Sequence, residues 1–218
     1  FLPFDKGYND GAGNPPNPDG IMTDYLWKEI LTKNKLSRII ENYAQVVVEE
    51  DPDTKKKTVK QIFPRYHQLD VVEKLLADVK ENGIGKRYLI QHSAGSGKSN
   101  SISWLAHQLI ELEQDGHPIL DSVLVVTDRR ILDKQIRDNI KQFMQVANTV
   151  AWAEHSGDLR DAIKDGKRII ITTIEKFPYV VPDIGAKHKN NKFAVIIDEA
   201  HSGQSGRNSA QMNLALSG

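Results

Sequence analysis

Three short runs of uninterrupted apolar residues, Val123–Val126, Ile169–Ile171 and Val195–Ile197, constrain the fold of this chain more than any other feature. A strand with one wet face alternates apolar and polar side chains, whereas a strand that does not alternate is covered on both faces. Stretches with helical spacing lie between the runs, so the chain reads as parallel strands joined by helices, an α/β domain with a parallel sheet. Strands are expected at Tyr88–Gln91, Ser122–Thr127, Arg168–Thr173 and Phe193–Asp198, and helices over about 65–82, 99–114, 130–143 and 157–164. Upstream, residues 23–43 carry apolar positions that suit two short helices. Val46–Glu49 and Thr58–Ile62 flank a polar turn and predict a hairpin. Residues 1–20 are dense in Gly, Pro, Asn and Asp, a composition that cannot bury enough apolar surface to order itself alone. The chain therefore divides into an extension over 1–62 and a lobe over 63–218.

Composition narrows the function classes. Lys plus Arg and Asp plus Glu are equal at 29 each, so no global basic field marks a nucleic-acid partner, and any such surface is local. The absence of cysteine excludes disulfides, thiolate metal sites and cysteine nucleophiles, and fits a reducing cytoplasmic setting. No apolar run approaches the roughly 18 residues of a membrane-spanning helix. The chain starts at Phe1 without an initiator Met, and its ends read as those of a fragment.

The sharpest local signal is Gln91-His-Ser-Ala-Gly-Ser-Gly-Lys-Ser99, placed between an expected strand and a helix whose Ile102, Leu105, Ala106, Leu109 and Leu112 share a side. Gly95 and Gly97 permit backbone angles closed to other residues. Successive N–H groups over Ala94, Gly95, Ser96, Gly97, Lys98, Ser99 and Asn100 can then converge on phosphate oxygens at a helix N-terminus. Lys98 would reach the β- and γ-phosphates, and the Ser99 hydroxyl would ligate Mg²⁺. The G-x-x-x-x-G-K-S/T pattern is broken at its first position by His92. A second signal is Phe193-Ala-Val-Ile-Ile-Asp-Glu-Ala-His201, an apolar strand ending in two carboxylates. Asp198 would hold Mg²⁺ at the strand's carboxyl end, Glu199 would orient or deprotonate the attacking water, and His201 would couple the site to neighbouring segments. Taken alone, the acidic pair would serve equally as a helix cap. Gln68, in Phe63-Pro-Arg-Tyr-His-Gln68, has an amide that can accept from adenine N6 and donate to N7, and is the candidate for choosing ATP over GTP.

These segments, in this order, resemble the motifs of superfamily 2 helicases and translocases. Phe63–Gln68 is similar to the Q motif, His92–Ser99 to motif I, Val126–Gln135 to motif Ia, Ile171–Phe177 to motif Ib and Asp198–His201 to motif II. More narrowly, Gly11-Ala-Gly-Asn-Pro15, Phe63–Gln68, Gln91–Ser99 and Thr127-Asp-Arg-Arg-Ile-Leu-Asp-Lys-Gln135 together resemble the restriction (R) subunit of type I restriction-modification enzymes, over nearly the whole chain. The resemblance implies the first RecA-like lobe of an ATP- and Mg²⁺-dependent motor. Such a motor pulls double-stranded DNA past modification (methyltransferase) and specificity subunits, with cleavage left to a separate nuclease domain. It also implies that Thr127, Arg129, Arg130 and Thr173 contact the nucleic-acid backbone. Arg129 and Arg130 read equally well as a solvated helix start. The second lobe with its arginine finger and the nuclease domain are not visible in the sequence, so low turnover and no DNA cleavage are expected of this chain by itself. An RNA helicase lobe and a catalytically silent nucleotide-fold scaffold are the competing readings.

Overall fold

The computed structural model of the protein describes residues 19–21, 24–50, 54–93, 95–127, 140, 149–179 and 191–198. It divides into two compact units, 1–74 and 75–218, with the boundary inside a helix.

The first unit contains a helical turn of π spacing at Leu26–Ile30, helix α1 at Lys33–Asn42, the hairpin strands β1 (Gln45–Glu50) and β2 (Lys57–Ile62), and the opening turns of α2 (Tyr66–Asn82). The two short helices and the hairpin expected from sequence are present. β1 and β2 pair antiparallel with Val48 opposite Val59 and Val47 opposite Lys60. Period-two alternation buries Val47 between exposed Val46 and Val48, and Ile30, Ile39, Tyr43, Leu69 and Val72 of this unit are buried as well. Glu73 of α2 receives Lys35 and, at 3.8 Å, Arg38 from α1.

The second unit holds the sheet. Its elements are α3 (Lys98–Ile110), a small hairpin of β3 (Glu113–Gln114) and β4 (His117–Pro118), then β5 (Ser122–Thr127) and β6 (Val150–Trp152). Helix α4 (Ser156–Lys164), β7 (Ile169–Thr173), a 3-10 segment (Ile174–Tyr179) and β8 (Phe193–Ile197) follow. Strand order is β6-β7-β5-β8 and every pairing in this sheet is parallel. The uninterrupted apolar runs are the strands: Val123–Val126 and Ile169–Ile171 are all 0% exposed, the burial that two covered faces require. Helix α4 starts where Asp158, three residues in, accepts a 2.7 Å bond from the His155 backbone N–H, satisfying one of the donors a helix start leaves open.

Register separates the two faces. Leu124 pairs with Ile170 and Val195, and Val126 with Thr172 and Ile197. Leu124, Val126 and Ile170 pack with Leu159, Ala162 and Ile163 of α4, against which Val195 and Ile197 also lie, so this layer faces α4. The intervening Val123, Val125, Ile169 and Ile171 therefore face the opposite side. Helix α3 packs on β5, β7 and β8, and its buried Trp104, Leu105, Ala106 and Leu109 lie outside the α4 cluster, so α3 covers that opposite face.

Two expectations change. The strand expected at Tyr88–Gln91 does not form: residues 85–93 are irregular, Leu89 is 87% exposed, and the sheet does not include them. A strand exists only as far as its N–H and C=O groups are paired, and among the described residues these have no ladder partner. Their lead-in is held elsewhere, with the Tyr88 hydroxyl and Lys86 Nζ both donating to Asp78 of α2. The helix expected over 99–114 stops at Ile110 because Asp115 and Gly116 turn the chain into the β3–β4 hairpin. Both have positive φ, 54° and 76°, the geometry of a two-residue Asp-Gly hairpin turn. Of the helix expected at 130–143, only Ile140 lies within the described residues; it is helical and fully buried.

Candidate nucleotide site

The direction of α3 decides where its N-terminus lies. Arg168, the residue before β7, donates from its guanidinium to the Ile110 carbonyl, tying the C-terminus of α3 to the amino edge of the sheet. At about 1.5 Å per residue, 13 residues span about 20 Å, the length of a six-residue strand at about 3.3 Å per residue. Running back along the sheet, α3 brings Lys98 and Ser99 to the carboxyl edge, where parallel α/β sheets receive ligands.

The turn that feeds α3 has the geometry its glycines foretell. Gly95 has φ +72° and Gly97 φ +82°, the left-handed region that other residues enter at a cost. Gly97 occupies the N-cap position, where no side chain caps the helix. The Asn100 and Ser101 N–H groups already return to the Gly97 carbonyl, at 3.1 and 3.3 Å. The donors ahead of them are those a helix cannot satisfy internally, and they carry the positive end of its dipole. Ser96 is buried at 8% exposure, and Lys98, Ser99 and Asn100 are half-buried. These features fit a polyphosphate: paired positive-φ glycines, a helix start without a side-chain cap, and a lysine as its first residue. Ala94 lies outside the described residues.

At the same edge, Asp198 follows β8, is 8% exposed, and donates its backbone N–H to Val126 at 2.9 Å, continuing the ladder by one residue. A hydroxyl such as that of Ser99 with one carboxylate suits Mg²⁺, which takes few protein ligands alongside substrate phosphate oxygens. No cluster of three or more His, Asp or Glu ligands occurs among the described residues. Glu199 and His201 lie outside the described residues, as do Arg129 and Arg130.

The two threonines expected to touch nucleic-acid backbone are neighbours in the sheet. Thr127 is 1% and Thr173 5% exposed, and the two are in-register partners on adjacent strands. Both residues are buried at the ends of the two inner strands of the sheet.

Gln68 belongs to the first unit and is 3% exposed. Its side-chain Oε1 accepts the Arg65 backbone N–H at 2.8 Å, the reach-back bond of a glutamine at the third position of a helix. Sequence reasoning gave this residue only a base-reading role. The capping geometry was legible in its position, three residues after the helix cap.

Acidic and phenolic groups meet just ahead of the turn. Asp78 accepts from Tyr88 at 2.5 Å, from Lys86 at 2.9 and 3.1 Å and from Asn82 at 2.9 Å. The bond to Asp78 pushes the Tyr88 phenol up to about 12. In return the Tyr88 and Lys86 bonds hold the Asp78 carboxyl below its ordinary range. His107, on α3, is held below the usual histidine range by burial, partly opposed by its bond to the Ile140 backbone.

The T4 bacteriophage UvsW helicase crystal structure is similar in fold at 15% identity and a TM-score of 0.52, covering 87% of this chain and 59% of that one. The chain thus spans less than two thirds of that protein's length. No curated protein matches the sequence. The profile of the SWI2/SNF2 ATPase matches residues 67–218, more than two thirds of the chain and all of its sheet, turn and carboxylate segments. The chain belongs to the SWI2/SNF2 ATPase family.

Proposed function

We propose that residues 63–218 form the ATP-binding lobe of a double-stranded DNA translocase, the motor part of a restriction subunit like that of type I restriction-modification enzymes. The observation that carries the motor reading is the meeting, at one edge and on one face of a parallel sheet, of the α3 N-terminus and the Asp198 end of β8. Lys98 and the N–H groups around Gly95 and Gly97 bind the phosphates, Ser99 and Asp198 hold Mg²⁺, and Glu199 positions the attacking water. Mg²⁺ supplies charge neutralisation on the phosphate oxygens; the chain supplies orientation. Gln68 reads the adenine edge through its amide while its oxygen keeps the cap of α2. Arg129 and Arg130, at the start of the segment after β5, contact DNA phosphates, and His201 couples the carboxylates to that segment. The restriction-subunit wording of residues 11–15, 63–68 and 127–135 supports the narrower assignment, with double-stranded DNA and the modification and specificity subunits as partners.

The test is the ATPase of the full-length subunit assembled with those partners, wild type against Glu199→Gln, on long duplex DNA and on RNA. Stimulation by duplex DNA that the variant loses is expected. Stimulation by RNA alone would move the lobe to the RNA helicases, and none by either would leave a silent scaffold.

A further inference from the structure

Three oxygen-bearing side chains form a transverse row at the carboxyl edge of the sheet. Thr127 of β5 pairs in register with Thr173 of β7. On its other side Val126 pairs with Ile197, so the next residue along each strand sets Thr127 beside Asp198. The 2.9 Å bond from the Asp198 N–H to the Val126 carbonyl carries the ladder up to that pair. In-register neighbours on adjacent strands stand about 4.8 Å apart. All three residues have the parity of Val123, Val125, Ile169 and Ile171, the layer that faces α3 rather than α4. The row therefore opens toward the helix whose first residues are Lys98 and Ser99.

The middle member is a buried hydroxyl beside the carboxylate. Thr127 is 1% exposed and its Oγ1 has no hydrogen-bond partner among the described residues. A buried hydroxyl left unpaired is costly, and a valine of the same shape would avoid that cost. The structure thus keeps a donor where folding alone favours a methyl group, next to the carboxylate that would hold the metal.

We infer that Thr127 is a positioning residue of the nucleotide site: its hydroxyl donates to the Asp198 carboxylate, or to water on it, and fixes that carboxylate for Mg²⁺. This rests on the motor reading above and deepens it.

The experiment uses the full-length protein with a fluorescent non-hydrolysable ATP analogue, titrated with Mg²⁺, for wild type, Thr127→Val and Thr127→Ser. Duplex DNA affinity without nucleotide is measured alongside. The Mg²⁺ concentration for half-maximal analogue binding is expected to rise about tenfold in Thr127→Val, the size of a hydrogen bond to a charged group. Thr127→Ser, which keeps the donor, should stay within about threefold of wild type, and DNA affinity should not change in either variant. A rescued Mg²⁺ requirement in Thr127→Ser supports the inference even if the valine variant fails to fold. An unchanged requirement in Thr127→Val overturns it, as does a loss confined to DNA affinity, which would return the hydroxyl to nucleic-acid contact. If wild type binds no analogue at any Mg²⁺ concentration, the motor reading itself fails and this inference with it, an outcome distinct from a wild type that binds and a valine variant that binds equally.

Discussion

Thr172 offers a quantitative check on the two-faced sheet. It lies in the interior of β7, 0% exposed, paired with Val126, and its Oγ1 has no partner among the described residues. By parity it points toward α4, into the layer of Leu124, Val126, Ile170, Leu159 and Ile163. Replacing the hydroxyl by a methyl in Thr172→Val removes the desolvation cost of an unmatched polar group, about 1–3 kcal/mol. It also adds apolar contact at a site where β-branched residues are favoured. Taking the lower half of that range, about 1–2 kcal/mol, and about 2–4 °C per kcal/mol for a domain of this size, the melting temperature should rise by about 2–8 °C. Thermal unfolding followed by far-ultraviolet circular dichroism, with Thr172→Ser as the control that keeps the hydroxyl and loses a methyl, measures it. Thr172→Ser should melt below wild type. If Thr172→Val melts lower than wild type by a degree or more, the hydroxyl is engaged in the folded protein and the assignment of this layer as purely apolar is refuted.

Other outcomes follow from the same geometry. Gly95→Ala places a Cβ in open space but at φ +72°, so its effect is conformational, about 1–2 kcal/mol, and appears as roughly tenfold weaker nucleotide binding in a fluorescence titration. Lys98→Ala should abolish Mg²⁺-dependent binding of the same probe while leaving the circular dichroism spectrum unchanged. Gln68→Ala should lose about 1 kcal/mol with the α2 cap bond and also lose the preference for ATP over GTP; Gln68→Glu keeps an acceptor for the Arg65 N–H and should recover part of the stability, but none of the preference. Phenolate absorbance should show one tyrosine titrating near 12, shifted back toward 10 in Asp78→Asn. Because the folded value is raised, that group's contribution to stability is complete below about 10 and is lost as pH rises from there through 12.

Much of this was legible in sequence. The strands of continuous apolar residues fell where expected because burial on both faces leaves a signal independent of partners, as in Ser122–Thr127 and Ile169–Thr173. The glycine turn ahead of α3 was readable because glycine reports backbone conformation directly, and both Gly95 and Gly97 adopt positive φ. Tyr88–Gln91 misled because an apolar run specifies the wish to be covered, not the ladder that covers it. Strand β6 has only three residues, too few for periodicity, and is defined by its pairing with β7. The β3–β4 hairpin could have been found, since Asp115-Gly116 is a strong two-residue turn signal; the helical pattern through Leu112 obscured it. The burial of Thr127 and Thr173 was not legible, because register across three strands decides it and a single strand's sequence carries no register.

The guanidinium of Arg168 on the Ile110 carbonyl has a mechanical consequence. A rod anchored to the floor of the sheet at its far end cannot slide along the strands when its near end grips or releases an anion without breaking a charge-assisted bond. Helix α3 is thereby held as a strut against axial sliding.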